Sequence, residues 1–546
     1  MKFVTLRNSK RQQPRGARAF RLSNAHKKIR VTVVVRSASS PQARRNAIEK
    51  LATQLPRNRR YLSLEEFTEL HGARDEDLAV VKQFAKKNHL HVVEISKPRR
   101  CVVLSGTILK FSRAFQVHLK DFEHTGQTYR SHSDAIQIPA DLADVIEGIL
   151  GLEDRPLMTH HTFIAAMHST NHVEPIEVAR AYQFPAHVNG EGERIAIIEL
   201  GGGFNDQDIK DYFQKHGFRT PRIRVHEIDG QKNSPATKQS VEQVLKLMGV
   251  EKNCKTNAKM DQSELARAMW TIESTIDIQL AGSFANGGFI DVYFAPNNAQ
   301  GKYHALTSVL TNKECAPTIL SCSWGAAEEE LPTDVVHILN QIFQDAALLG
   351  ITVCFSSGDK GDDQGKDGKP RAHYPATSPH VLSCGGTHWN LSGDRLSEVV
   401  WNETLPAGVV KSGGGVSHIF EMPEWQSSAK VKSKTNHKGR GTPDVSGKAD
   451  IQRGYCTLVV GFKITMGGTS SAAPMWAGLI ARINEKLGCR VGFLTPLLYQ
   501  KQFAQTFNDI TRGNNGKFKA SRGWDPCTGW GTPNGKKLLK ILSSGS

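Results

Sequence analysis

Apolar residues recur along this chain in two rhythms, and the change from one to the other divides it. Up to about residue 155, short alternating runs mix with short helical ones. Residues 29–35 (IRVTVVV) read as a strand, and residues 61–70 start a helix with Ser63 as its cap and Glu66 three residues on. Residues 75–88 read as a helix whose apolar face is Leu78, Val81, Phe84 and Ala85. Residues 91–95, 101–104 and 115–119 read as further strands, with a helix near Phe111. This mixture predicts a small α+β domain over residues 29–155. Residues 156–173 (PLMTHHTFIAAMHSTNHV) are weakly patterned and are expected to be a linker. From residue 174 the chain alternates short, mostly apolar strands (195–200, 290–294, 318–323, 351–355, 380–384) with helices (206–216, 262–282, 332–349). Apolar strands with helical crossovers predict an α/β fold whose parallel sheet is covered on both faces. Functional loops then gather at the strands' carboxyl ends.

Candidate chemistry begins at residues 466–474 (MGGTSSAAP). Residues 472–487 are mostly good helix formers, Pro474 falls in the first turn, and Gly488 supplies a stop. Ser470 is thus expected at a helix mouth, where free N–H groups and the helix dipole favour developing negative charge. A capped loop would look the same unless the chain supplies a base and an oxyanion donor. Glu273 and Asp277 lie four apart in the helix over 262–282, beside its apolar stripe of Leu265, Met269, Ile272, Ile276 and Leu280. No Lys or Arg stands between them, and Thr271, Ser274 and Thr275 flank the pair. Asp359 follows the strand over 351–355, which is where a parallel sheet keeps site residues. No histidine stands in a frame such as HGTHVAG, so a base for Ser470 has to be a carboxylate.

Composition narrows the alternatives. The chain has 546 residues, and no apolar run approaches the roughly 20 that a membrane span needs, so no span is expected. The net charge of +17 invites nucleic acid as a partner, but thirteen Lys and Arg and no acidic residue fall in residues 1–45, which leaves +4 for the rest. Residues 1–28 are expected to be a disordered basic tail, with a targeting segment or a nucleic-acid contact as the open alternatives. The tail has no apolar stretch of the signal-peptide kind. Nine widely spaced cysteines without a CxxC pair are expected to be mainly free.

The second part of the chain resembles the sedolisins, or serine-carboxyl peptidases, most closely of the kumamolisin type. The matching stretches occur in family order. They are AYQFP at 181–185, IAIIELGGG at 195–203, Glu273 with Asp277, YFAP at 293–296 and SCSWG at 321–325. SGD at 357–359, YPATSP at 374–379, GGGVS at 413–417, PDV at 443–445, GGTS at 467–470 and GWDPCTG at 523–529 follow. The resemblance implies a subtilisin-like fold over residues 174–546, an activation prodomain over 29–155 that inhibits its own chain, and self-cleavage in the linker. It implies an acid-acting endopeptidase on peptide and protein substrates, with Ser470 as nucleophile, Glu273 as base and later acid, Asp277 as its orienter, and protonated Asp359 as oxyanion donor. Glu199 and Trp324 match positions that extend the carboxylate network. Asp509, Ile510, Ser521, Gly523 and Asp525 match a calcium site in which Ser521 stands where relatives often have Gly. A monomer acting outside the cell or in an acidic compartment is expected. Two departures stand out: Lys360 beside Asp359, where an inward cation would lower the acid's pKa, and a Lys-rich insertion over 237–257, expected to be a surface loop.

Overall fold

The computed structural model describes residues 2–160, 163–167, 172–248, 261–362, 371–392, 395–405, 408–429, 431 and 438–544. Its first part contains β1 (Phe3–Thr5), β2 (Arg18–Leu22), β3 (Lys28–Val35), α1 (Pro41–Thr53), α2 (Leu64–His71), α3 (Asp75–Lys87), β4 (His91–Ser96) and β5 (Cys101–Thr107). α4 (Ile108–Phe115), β6 (Lys120–His124), β7 (Gln127–Ser131), β8 (Gln137–Pro139) and β9 (Ile146–Leu150) complete it. The central sheet runs β4-β5-β3-β9, antiparallel throughout. β3 explains its own sequence. Val31, Val33 and Val35 face a core that includes Val81, Phe84 and Phe111, while Val34 joins Cys101, Val103 and Leu150 in the core of the second part. Buried on both faces, the strand reads as an almost unbroken apolar run. Thr32, the polar exception, is hydrogen-bonded to His304 Nε2 (2.8 Å) and Gln300 Nε2 (3.1 Å) across the domain boundary.

Two short strands, β10 (Thr159–His160) and β11 (Phe163–Met167), lead into the second part. There follow α5 (Pro175–Ala181), β12 (Arg194–Glu199), α6 (Asp206–Lys215), β13 (Arg222–Glu227), α7 (Lys238–Leu247), α8 (Gln262–Phe284), β14 (Phe289–Phe294) and α9 (Ala299–Thr311). β15 (Ile319–Cys322), β16 (Trp324–Ala327), α10 (Thr333–Leu348), β17 (Thr352–Ser356), β18 (His373–Tyr374), β19 (Leu382–Ser392), β20 (Arg395–Val400) and α11 (Ala472–Leu487) come next. The main sheet runs β13-β14-β12-β15-β17-β19-β20, parallel except for its last pair. α8 and α11 pack together, and their apolar residues form one core with the inner face of β12 and β14. Every residue of α8 from Thr271 to Phe284 is buried, so the helix is wrapped on all sides there instead of presenting a single stripe.

Four expectations need correction. Residues 1–28 are not a disordered tail: β1 pairs with β8 and β2 with β6, and Arg11 is buried. One basic residue of this stretch is used internally: Arg11 is bonded to Asp334 (2.9 and 3.1 Å) and close to Glu153 (3.2 Å), while Lys2, Arg7, Lys10, Arg15, Arg18, Arg21, Lys27 and Lys28 are exposed; beyond it, Arg44 lies near Asp345 (3.3 Å). Residues 115–119 are not a strand, because α4 runs to Phe115 and Gln116 ends it in the left-handed conformation. The insertion over 237–257 opens as helix α7, which buries Val241, Val244 and Leu245 against α8; its residues 249–257 lie outside the described residues. The linker over 156–173 carries β10 and β11, which pair with β16 and with the strand Phe462–Gly467, while residues 161–162 and 168–171 lie outside the described residues.

Breaking the Arg11 contact leaves the buried Asp334 carboxylate without its cation, a change that typically costs about 3–5 kcal/mol, while Glu153 keeps Arg155 at 3.3 Å. Arg11→Ala should therefore lower the unfolding temperature of the full-length chain at pH 7, with a smaller loss near pH 4, where protonation removes the uncompensated charge. Thermal unfolding of Ser470→Ala and Arg11→Ala/Ser470→Ala proteins at both pH values measures this.

Candidate active site

The sheet delivers the site at its carboxyl edge. Glu199 is the last residue of β12, Ser323 follows β15, and Asp359 lies three residues past the end of β17. Ser470 sits in a single 3-10 turn, Thr469–Ser471, that runs directly into α11. The turn needs its two glycines. Gly468 has φ +119°, and a Cβ on Gly467 would stand 2.4 Å from the Ala449 carbonyl oxygen.

Ser470 Oγ donates to Glu273 Oε1 at 2.6 Å, and both residues are fully buried. Asp277, one turn along α8, accepts from Ser323 Oγ at 2.9 Å. Glu199 Oε2 accepts from Trp324 Nε1 and from Ser274 Oγ, each at 3.1 Å. Asp359 uses one oxygen to accept from Thr469, from the backbone N–H at 2.8 Å and from the hydroxyl at 2.6 Å. Its Oδ2 is buried and has no hydrogen-bond partner among the described residues. The same holds for Asp277 Oδ2 and Glu199 Oε1.

Electrostatics follow from this packing. Burial pushes the Asp277 carboxyl well above the usual range, and the negative charges of Glu273 and Glu199 push it further. Glu199 is raised well above its usual value by burial and then by Glu273, against the opposing donors Trp324 and Ser274 and the buried ammonium of Lys302. Asp359 is raised well above its usual value by burial, with the Thr469 bonds acting in the opposite direction. Lys360 is exposed, so the cation that could have lowered Asp359 points to solvent. A cluster of this kind cannot carry its full negative charge in a dry interior, so it retains protons.

All six residues singled out for catalysis and its support thus lie in one network. The Thr469 donors to Asp359 and the Ser323 donor to Asp277 were missed by the sequence reading, although both residues flank positions it did single out. Of the residues expected to hold calcium, the structure pairs two sets: Gly523 N–H donates to Asp509 Oδ2 and Ser521 N–H to Asp525 Oδ2, both at 3.0 Å. Ile510 packs with Val400, Phe518 and Cys527. Burial raises Asp509 above its usual value, and Asp525 to about 6. Two carboxylates raised by burial are oxygen donors of the kind a hard dication takes.

Fold and site together define a class, a subtilisin-like sheet in which the serine is served by buried carboxylic groups instead of histidine. Residues 17–155 match the family described as "Pro-kumamolisin, activation domain", and residues 249–524 match the "Subtilase family". The chain is 37% identical over 537 residues to Kumamolisin of Bacillus sp. (strain MN-32), covering 94% of this chain and 92% of that protein. It is 33% identical over 303 residues to Tripeptidyl-peptidase 1 of Homo sapiens, covering 50% of this chain and 52% of that one. The solved structure of Pseudomonas sedolisin, a serine-carboxyl proteinase complexed with two molecules of pseudo-iodotyrostatin, superposes with a TM-score of 0.56 at 24% identity over 69% of this chain and 100% of its own. The chain belongs to the sedolisin family of serine-carboxyl peptidases and is of the kumamolisin type, with an activation prodomain ahead of its peptidase domain.

Trp324→Phe removes one of the two donors that hold down the Glu199 pKa, so that group should titrate still higher. Infrared spectra of the carboxylic C=O stretch against pH, assigned with Glu199→Gln, would register the rise; an unmoved midpoint would show that Trp324 does not tune Glu199.

Proposed function

We propose that the protein is an acid-acting endopeptidase made as a self-processing zymogen. The observation that carries this reading is the 2.6 Å bond from Ser470 Oγ to Glu273 Oε1 inside a buried carboxylic cluster. Ser470 Oγ adds to the scissile carbonyl carbon while its proton passes to Glu273. The oxyanion accepts a hydrogen bond from protonated Asp359, whose Oδ2 is the oxygen not committed to Thr469. Glu273 then gives its proton to the leaving amine, which breaks the peptide bond and leaves an ester on Ser470. Water, deprotonated by Glu273, hydrolyses that ester and restores the serine. Asp277 acts by orienting Glu273 and sharing its proton, and Glu199 with Trp324 extends that network.

Cleavage inside a chain, as against removal of N-terminal tripeptides, is favoured by how the linker runs. β10 pairs antiparallel with β16, Thr159 opposite Gly325 and His160 opposite Trp324, beside the serine that bonds Asp277. β11 pairs with the strand Phe462–Gly467 that leads into Ser470. N-terminal to β10 a cavity of about 1300 Å³ opens beside Leu157 and Met158, walled by Leu265, Met269 and Trp270 on one side and by prodomain residues including Gln13 and Tyr129 on the other. We infer self-processing in the linker between about Leu157 and Val173, a reading these pairings support, with the prodomain acting as inhibitor until then. Asp509, Asp525, Ser521, Gly523 and Ile510 would hold a calcium ion that ties the C-terminal loops together. Among the described residues no helix is long and apolar enough to cross a membrane, and we infer work outside the cell or in an acidic compartment.

The activity of the processed enzyme should be high at acidic pH and fall towards neutrality. Asp359 has to be protonated to donate, its pKa is raised, and the proton is lost as pH rises through that value. Glu273→Gln and Asp359→Asn should each lower kcat by about 10²–10⁴-fold. A rate profile flat from about pH 4 to 8 would sink this mechanism. An internally quenched peptide with a blocked N-terminus should be cleaved, whereas turnover confined to free-N-terminal tripeptide substrates would mark an exopeptidase. Chelation of calcium should lower the unfolding temperature of the wild type and leave that of Asp525→Asn unchanged.

A further inference from the structure

Outside the catalytic site, three side chains of different chemistry converge on one point at the edge of the main sheet. His226 comes from the edge strand β13, Asp291 from its parallel neighbour β14, and Cys315 from the turn after α9. His226 Nε2 lies 3.0 Å from Asp291 Oδ1 and 3.7 Å from Cys315 Sγ, and all three donor atoms lie within 4.8 Å of one another. Asp291 and Cys315 are buried, and His226 is 19% exposed. The arrangement is held from several sides. The His226 ring stacks on Tyr293 at 4.2 Å, and the Tyr293 hydroxyl accepts from Asn312 Nδ2 at 3.0 Å. Asn312 Oδ1 in turn accepts from the N–H groups of Glu314 and Cys315, each at 3.1 Å, and so sets the turn that presents the thiol.

We propose that His226, Asp291 and Cys315 form a zinc site that ties β13 to β14 and to the α9–β15 connection. The N···S separation of 3.7 Å is close to that of a tetrahedral ion, and the N···O separation of 3.0 Å would open by about 0.4 Å on binding. With Zn–S near 2.3 Å and Zn–N and Zn–O near 2.1 Å, the edges of the tetrahedron are about 3.6 Å for N···S and about 3.4 Å for N···O. The donor set is also the one zinc takes: an imidazole, a carboxylate and a soft thiolate. A simple ion pair accounts for part of the cluster, since Arg194 Nη1 lies 3.3 Å from Asp291 Oδ2. The thiol now hydrogen-bonds Asp291, which holds all three donor atoms together as a metal would need them. Two guanidiniums adjoin the site, and neither blocks it. Arg194 bonds the second carboxylate oxygen, where it orients a ligand as outer partners do. Arg224 Nη1, now 3.0 Å from Cys315 Sγ, is half-exposed and already within 3.5 Å of Glu314. Binding exchanges the thiol proton for the ion, so the dication, the thiolate and the Asp291 carboxylate sum to zero charge. The fourth position is left to water or to the exposed Glu314 carboxylate. The site lies in the β13–β14 edge pair, and none of its ligands belongs to the catalytic network.

The test uses the full-length chain with Ser470→Ala, which prevents self-cleavage. The protein is stripped with a chelator at pH 7, where thiol and imidazole can give up protons to a metal, and titrated with zinc and, separately, with cobalt(II). One equivalent of zinc should be retained after gel filtration, and cobalt should produce a thiolate-to-metal absorption band in the near ultraviolet. Cys315→Ser, which keeps side-chain size, should abolish the band and weaken zinc binding by more than about ten-fold. His226→Gln should weaken it to a similar degree, while circular dichroism reports that both variants are folded. Retention of well under one equivalent by the Ser470→Ala protein overturns the proposal. So does a cobalt band or zinc affinity that survives Cys315→Ser, since the thiolate would then come from another cysteine.

Discussion

A hydroxyl donating to a carboxylate, with both groups out of reach of water, is the interaction around which this structure is arranged. Ser470 can meet Glu273 only because α8 and α11 pack against each other in the interior and the glycine turn delivers the serine to the mouth of α11. Burying Glu273 beside Asp277 and Glu199 then sets the chemistry. Acids packed this closely in a dry interior retain protons at pH values where free carboxyls have lost them. In the proposed mechanism, burial is the means by which a set of ordinary carboxylic acids takes the place of an imidazole.

The same constraint explains which parts of the molecule were legible from sequence. The parallel sheet and its crossovers were readable because its strands are short apolar runs with few alternatives. Ser470, Glu273, Asp277 and Asp359 could be singled out from the mouth of α11, the face of α8 and the end of β17, whereas Glu199 at the end of β12, Trp324 and the role of each residue came from the family resemblance. What escaped was decided by tertiary partners. Ser323 and Thr469 are small polar residues whose importance lies in what they face, Asp277 and Asp359, and nothing local distinguishes them from loop residues. Residues 1–28 read as a disordered arm because their charge had no visible partner. The partners Asp334 and Glu153 lie far along the chain. Residues 115–119 misled for a different reason: Gln116 adopts a left-handed cap that only a structure reveals.

The activation domain and the peptidase domain share more than a boundary. β3 gives alternate side chains to each, so Val34 is part of the peptidase-side core although it is held by a prodomain sheet. Thr32 extends the same strand's reach to His304 and Gln300 on α9. The interface is thus mixed, apolar at its centre with buried polar pairs placed through it. It is closer in character to the interior of one domain than to a weak contact between two.

The Arg11–Asp334 pair also bears on how the chain reaches this state. Its partners are separated by 323 residues, so the contact cannot close until a large part of the peptidase domain has been made. The α+β domain, complete by about residue 155, can form first as the chain emerges and offer its sheet as a template for the later α9 and α10. Closing a loop of that length is entropically slow to arrange before other contacts exist. The bond from Arg11 to Asp334 can thus close only late, although the arginine is among the first residues synthesised and its other partner, Glu153, belongs to the early domain.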